Sequence, residues 1–109
     1  MAWAKWVSQV ERRIIGRALD EILANPAGFT VSVFDGEEMV VKPTRDRMNI
    51  IKEIGQTGET SLNIHTFDGK RAGWIWFIHG NEEDVLSDCS ANPVTDAIFA
   101  AVMAAEDQM

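Results

Sequence analysis

Aromatic and acidic side chains are concentrated in one short part of this chain. Residues 74–78 read Trp-Ile-Trp-Phe-Ile, and four carboxylates, Glu82, Glu83, Asp84 and Asp88, lie within seven positions shortly after them. Flat rings offer contact area, and carboxylates attract cations, so this combination is suited to holding another molecule. No nucleophile motif surrounds any Ser. The chemistry that this stretch predicts is recognition rather than reaction.

The same part of the chain carries the whole net charge. All ten Lys and Arg residues lie at or before Arg71, and the 17 Asp and Glu residues divide into ten before residue 72 and seven after it. Residues 1–71 are therefore neutral (ten minus ten), and residues 72–109 carry the net charge of -7. Binding to a nucleic-acid backbone needs Lys and Arg to displace counterions, so we expect no direct contact with nucleic acid. The acidity favours a basic partner, with simple solubility as the alternative explanation.

Histidine and cysteine are present, but their spacing predicts no metal or catalytic site. His65, His79 and Cys89 do not have the spacing of a zinc site, and the turn after residue 67 pairs His65 with residues 72–74 rather than with His79. Acidic neighbours should raise the pKa of Cys89 and suppress its thiolate. The glycines lie singly at turns and form no phosphate-binding loop. The sequence thus predicts no catalytic residue, no metal and no cofactor.

Hydrophobic periodicity predicts the elements that position these side chains. Apolar residues at three- and four-residue steps predict a helix over residues 3–24, and the capping-box pair Ser8 and Glu11 favours a regular start at Gln9, with residues 1–7 as an arm. Pro93 after Asn92 marks the start of the last helix. Alternation and turn residues predict strands over 29–34, 38–42, 62–67, 74–79 and 85–89, and helices over about 44–55 and 93–106.

This order predicts one α+β domain over residues 1–109. Short hairpin links imply an antiparallel sheet of four to five strands, covered by three helices in the order α-β-β-α-β-β-β-α. No stretch approaches the ~20 apolar residues of a membrane span. The single cysteine, Cys89, forms no intrachain disulfide, and we expect a cytoplasmic protein that does not contact membranes.

Strand parity predicts which side of the sheet is buried. With side chains alternating between faces, one face carries apolar residues and should form the core together with Ile14 and Ala18 of the first helix: Leu62, Ile64, Ile75, Phe77 and Leu86. The other face mixes aromatic and polar residues, as interfaces do: Asn63, His65, Trp74, Trp76, Ile78, Val85 and Cys89. In the alternative interpretation, the N-terminal helix or arm covers this second face with Trp3 and Trp6.

The stretch from Phe29 to Ser90 resembles small proteins carried by bacteriophages and prophages. The resemblance rests on three runs: Val33-Phe34-Asp35-Gly36-Glu37-Glu38, Thr44-Arg45-Asp46 at a helix start, and Ile78-His79-Gly80-Asn81 leading to Asp84-Val85-Leu86-Ser87-Asp88. Small acidic phage proteins of this size often resemble anti-defence inhibitors, including anti-CRISPR proteins, some of which present carboxylates where DNA phosphates would sit. The resemblance implies binding to a host complex and carries over no catalytic residue. Because ten basic residues lie in the first two thirds, any DNA mimicry would be confined to the last third.

The sequence and this resemblance together predict a non-enzymatic inhibitor of phage type in the bacterial cytoplasm. Its expected partner is a basic, nucleic-acid-binding host protein or nucleoprotein complex. The predicted partner-binding residues lie between positions 74 and 96: Trp74, Trp76, Ile78, Glu82, Glu83, Asp84, Asp88 and Asp96. The alternative is a homodimeric phage or bacterial structural or assembly accessory protein, whose tryptophan face would be the contact between two copies.

Overall fold

A computed structural model describes residue 3, residues 7–80 and residues 85–107. Within these residues lie three helices and five strands in the predicted order α-β-β-α-β-β-β-α, which confirms the α+β class. The strands form one antiparallel sheet in the order β2-β1-β3-β4-β5. The elements are α1 (Gln9–Ala24), β1 (Thr30–Phe34), β2 (Met39–Thr44), α2 (Arg47–Glu53), β3 (Glu59–His65), β4 (Arg71–Ile78), β5 (Leu86–Cys89) and α3 (Pro93–Asp107).

One face of the sheet packs against all three helices and forms the core. The buried cluster joins side chains of the helices to alternate residues of the four longer strands. This is the face that strand parity predicts, and its predicted members are buried at no more than 1% exposure: Ile14, Ala18, Leu62, Ile64, Ile75 and Phe77. The predicted core is therefore confirmed for these residues.

The helix starts follow their capping residues, and three strands extend beyond their predicted bounds: β2 ends at Thr44, β3 begins at Glu59 and β4 begins at Arg71. α1 begins at Gln9 because the hydroxyl of Ser8 accepts the Glu11 N–H at 3.1 Å, as the capping spacing predicts. α2 begins only after Asp46, which accepts the Asn49 N–H. The prediction that the second strand ends at residue 42, before Pro43, is wrong, because β2 is an edge strand and an edge tolerates a residue without an N–H.

Helix α3 is held against β4 by a small polar cluster around a glycine. The side chain of Asn92 caps α3 by accepting the Thr95 N–H at 3.0 Å, and its amide nitrogen donates to the Ala72 carbonyl at 3.0 Å. The predicted N-cap is thus confirmed. A Cβ on Gly73 would lie 2.8 Å from the Thr95 methyl carbon, so the absence of a side chain at Gly73 lets α3 approach the sheet closely.

A β-bulge changes the facing of β5. Phe77 lies opposite Leu86, as parity predicts, but Trp76 lies opposite Asp88, so one extra residue stands between the two pairs. The bulge moves Cys89 opposite Ile75, on the core side, where it packs against the buried cluster. Val85 is fully buried in the same cluster. The prediction that Val85 and Cys89 share the tryptophan face is therefore wrong. For Cys89 the reason is the bulge, because a single added residue reverses the facing of the residues after it. Val85 precedes β5, so strand alternation does not set the direction of its side chain.

Candidate functional site

The sheet face opposite the helices, here called the open face, carries the aromatic side chains. Trp74, Trp76 and Ile78 alternate with buried residues along β4, and each remains partly exposed. The register places further side chains beside them on the same face: Ser32, Phe34, Ser61, Asn63 and His65. α1 packs on the core side instead, and Trp3 lies with it against Gly16, whereas Trp6 lies outside the described residues. The N-terminal helix therefore does not cover the open face.

Trp76 is held by a carboxylate on the neighbouring strand. Its indole Nε1 donates to Glu59 Oε2 at 3.2 Å, which orients the ring and keeps Glu59 at the margin of the open face. Glu59 in turn lies against Gly36, where an added Cβ would collide with the Glu59 carboxylate. Gly36 has φ of 103°, a left-handed conformation that glycine adopts without strain. A ring and a carboxylate are thus fixed side by side.

Several carboxylates gather at one end of the sheet, here called the acidic end and defined by Asp35, Glu37, Glu38 and Glu59. They come from the β1–β2 turn and the start of β3, which antiparallel pairing brings together. Three of these carboxylates line a shallow cleft of about 450 Å³: Asp35, Glu37 and Glu59. The other residues that line it are Gly36, Thr57, Gly58 and Ile78. The N–H groups of Glu38 and Glu37 donate to the Asp35 carboxylate and lower its pKa, so it stays ionised.

The predicted acidic residues after β4 have different outcomes. The described part of the chain stops at Gly80 and resumes at Val85. Ile78, which lines the cleft of the acidic end, donates its N–H to the Val85 carbonyl at 3.1 Å. Gly80 and Val85 therefore flank the acidic end. Glu82, Glu83 and Asp84 lie outside the described residues. Asp88 stands opposite Trp76 in the β4–β5 register and accepts the Cys89 N–H at 2.9 Å. Asp88 therefore joins the open face beside the tryptophans.

Asp96 does not share that face. It is exposed in the first turn of α3, on the helix side of the sheet. Its charge still acts on Cys89 of β5. Burial, and then the negative charges of Asp88 and Asp96, raise the pKa of the Cys89 thiol. The structure thus brings Trp74, Trp76, Ile78 and Asp88 together and places Asp96 around the edge from them. The raised pKa agrees with the sequence argument against a reactive Cys89.

The opposite end of the open face is basic and polar. Arg71 donates from its guanidinium to Asn63 Oδ1 at 2.8 Å. His65 lies opposite Arg71 in the register, and its Nε2 is 2.9 Å from the hydroxyl of Ser32. Burial, and then the positive charge of Arg71, lower the pKa of His65, which favours the neutral imidazole. The open face therefore runs from carboxylates at one end to a guanidinium at the other.

A buried network that the sequence does not reveal links α1 to the end of β4. Glu11 is 2% exposed, and its Oε2 lies 2.9 Å from His79 Nδ1, while its Oε1 accepts the Gly80 N–H at 3.2 Å. His79 Nε2 lies 2.7 Å from the hydroxyl of Thr60, which accepts the Gly55 N–H. Glu11 and His79 are 68 positions apart, so no local spacing links them. Glu11, expected to complete the capping box, binds His79 and Gly80 instead.

This network has the order of a hydroxyl, an imidazole and a carboxylate, as in hydrolase triads. Thr60 is only 1% exposed, and its oxygen is already hydrogen-bonded to Gly55, so a substrate has no access to it. A neutral His79 with its proton on Nδ1 satisfies every member: Gly55 N–H donates to Thr60, Thr60 O–H to His79, and His79 N–H to Glu11. The arrangement supports the fold rather than a reaction.

Neither a cluster of metal ligands nor a membrane-spanning helix occurs among the described residues. Across residues 7–80 and 85–107, no group of three or more His, Cys, Asp or Glu side chains is placed to hold a metal ion. No helix in the described part of the chain is both long and apolar enough to cross a bilayer. Comparison with models of protein families, with curated proteins and with solved structures gave no match. The geometry of the open face is therefore the basis for any functional proposal.

Proposed function

We propose that this protein acts by binding, and that its open face and acidic end dock onto a basic surface of another protein. The observation that supports this proposal is a sheet face that no described helix covers, with Trp74 and Trp76 partly exposed and bordered by Glu59 and Asp88. Partly exposed tryptophans on a rigid sheet provide contact area at little entropic cost. Carboxylates at their margin supply charge complementarity to Lys and Arg.

The proposed partner is a nucleic-acid-binding complex of a bacterial host, which the protein inhibits in the cytoplasm. Such complexes hold their nucleic acid in positively charged channels, as CRISPR effectors do. Carboxylates presented on a folded edge would occupy the positions of phosphates there. In this mode the acidic end approaches first, because its field acts over a longer distance than apolar contact, and the tryptophans then hold the complex.

Charge reversal at Glu82, Glu83 and Asp84 tests this proposal. The variant Glu82→Lys, Glu83→Lys, Asp84→Lys should keep the melting temperature of the parent, since the sequence predicts a solvated turn at these positions and charges in such turns contribute little to folding. We expect it to bind the partner at least about tenfold more weakly, or about 1.4 kcal/mol. The measurement is inhibition of target-DNA binding by purified CRISPR effector complexes, repeated at low and high salt.

Matched single variants separate location from charge. Glu37→Lys lies at the acidic end, whereas Glu21→Lys makes the same charge change on α1, on the other side of the sheet. Of these two charge reversals, only Glu37→Lys should weaken inhibition. Trp74→Ala should weaken it without removing its dependence on salt. Equal inhibition by the triple Lys variant and the parent at low salt, or no inhibition by either, would contradict the proposal.

Self-association is the second candidate function, because two open faces could also bury their tryptophans against each other. Light scattering at two concentrations distinguishes this case. A dimer that persists at high salt and is broken by Trp76→Ala would favour the assembly accessory protein, since burial of rings between copies does not depend on complementary charge.

A further inference from the structure

A slot on the open face lies beside Trp74, at the basic end of the sheet. Its volume is about 380 Å³, within the range of small-ligand sites. Small polar residues of β1 and β3 form its floor, and larger side chains rise around them: the floor is Ser32, Ser61 and Asn63, and the surround is Phe34, Met39, His65, Arg71 and Trp74. Phe34 on β1 and Trp74 on β4 flank β3, so their strands are about 9–10 Å apart. This spacing leaves room for one flat ring.

The slot is locally cationic although the protein is acidic. None of the described residues that line it is Asp or Glu, and Arg71 is its one side chain with a permanent positive charge. The guanidinium is held by Asn63 at 2.8 Å, and it has five N–H donors, so donors remain after that bond. Ser32 engages His65, which keeps the imidazole in place at the same end. A fixed guanidinium beside an indole is a site for an anion attached to a ring.

We propose that this slot binds a small ligand made of one flat ring and one anionic group. The ring lies against the indole of Trp74, and the carboxylate or phosphate pairs with the guanidinium of Arg71. The proposal goes beyond the protein-binding role: the slot shares Trp74 with the docking surface, but none of the residues that define the acidic end lines it.

The charge pattern of the open face limits the ligand to one anionic group. A single-stranded nucleic acid would continue along the face, and its next phosphates would approach the carboxylates of Glu59 and Asp88 beside Trp76. Like charges repel there, and proteins that hold single strands use a positively charged groove along the whole backbone. A ligand that ends at Arg71 avoids this repulsion.

Two charged probes and their neutral counterparts test the slot. Indole-3-acetate and adenosine 5′-monophosphate carry a carboxylate and a phosphate, and indole-3-acetamide and adenosine are the matched neutral compounds. Each is titrated into the ¹⁵N-labelled full chain, with the backbone amides of Ser32 and Asn63 as reporters. We expect saturable shifts with a dissociation constant near about 1 mM for at least one charged probe. The neutral counterpart should bind at least about tenfold more weakly, because it lacks the charge-assisted hydrogen bonds. The stronger of the two charged probes identifies the preferred anion.

Variants assign the two halves of the ligand to their residues. Arg71→Gln should remove the preference for the charged probe over its neutral counterpart, and Arg71→Lys should retain part of it. Trp74→Leu should weaken both members of a pair. Arg17→Gln removes the same charge from the exposed surface of α1 and should change nothing. Each variant is first checked for a dispersed spectrum that matches the parent.

Three results would overturn the proposal: neutral probes that bind as tightly as charged ones, shifts confined to residues away from the slot, or no saturable shift with any probe up to about 10 mM. The variant Glu82→Lys, Glu83→Lys, Asp84→Lys should bind the probes as the parent does. A failure of the slot therefore leaves the protein-binding proposal intact, and a failure of protein binding leaves the slot intact.

Discussion

The buried contact between Glu11 and His79 makes α1 depend on the end of β4, and replacing Glu11 with Ala measures that dependence. Two contributions need to be separated. As an acidic residue in the first turn, Glu11 interacts favourably with the dipole of α1 and so stabilises the helix by about 0.3–1 kcal/mol. As a buried acceptor, it satisfies His79 Nδ1 at 2.9 Å and the Gly80 N–H at 3.2 Å. Leaving each of these donors without an acceptor costs about 1–3 kcal/mol.

We therefore expect Glu11→Ala to lower the free energy of unfolding by about 2–7 kcal/mol, the sum of the helix-dipole contribution and the two donors left without an acceptor. Glu11→Gln keeps the shape and one acceptor oxygen, so it should lose about 1–3 kcal/mol. The measurement is urea unfolding followed by tryptophan fluorescence, with an unchanged m-value as the condition for comparison.

Glu21→Ala is the matched control, because its carboxylate is 38% exposed and pairs on the surface with Arg17. It should lose no more than about 0.5 kcal/mol. A loss of less than about 1 kcal/mol for Glu11→Ala would show that only the helix dipole is affected. The argument that the network ties α1 to β4 would then be refuted.

Core packing and the cysteine thiol lead to three further predictions. Phe77→Ala removes a ring that is 0% exposed and should cost about 3–5 kcal/mol in urea unfolding; an unchanged melting temperature would contradict the face assignment. Gly73→Ala places a methyl group 2.8 Å from Thr95 Cγ2 and should cost about 1–3 kcal/mol, whereas Gly58→Ala meets nothing within 4 Å and should be nearly neutral; equal effects of the two would refute the close approach of α3. Burial and two nearby carboxylates raise the pKa of Cys89 above its ordinary 9.0, so the thiol should react with a disulfide reagent more slowly in the native than in the unfolded protein at about pH 8. The same shift stabilises the fold below pH 9.0, and that contribution is lost as the pH rises through the folded-state pKa; a native thiol that ionises at or below 9.0 would disprove it.

Local periodicity accounts for the part of the fold that could be predicted. The capping residues Ser8 and Asn92 and the alternation along β3 and β4 act over a few positions, so the sequence displays them directly. The open face follows from the same alternation, because Trp74 and Trp76 must lie opposite the side of Ile75 and Phe77. The aromatic half of the candidate site could therefore be predicted from residue spacing.

The remaining features depend on contacts between distant positions or on a single added residue. The bulge in β5 is invisible in the sequence, although it moves Cys89 to the core side and Asp88 to the open face. The pairing of Glu11 with His79 and the bond from Trp76 to Glu59 join separate elements. Such contacts are fixed by the packing of helices and strands, which no local spacing encodes.

The charges are also distributed differently along the chain and in the folded sheet. Along the sequence, residues 1–71 are neutral, and this balance predicts that polarity begins only after Arg71. The antiparallel sheet separates those charges. It places Asp35, Glu37 and Glu59 at the end of the sheet that Gly80 and Val85 also flank, and it leaves Arg71 at the opposite end. The acidic end therefore combines carboxylates that are far apart in the first two thirds of the chain. A basic partner would meet this end first, because opposite charges steer the encounter, while Arg71 lies at the other end of β4 and would repel a basic surface.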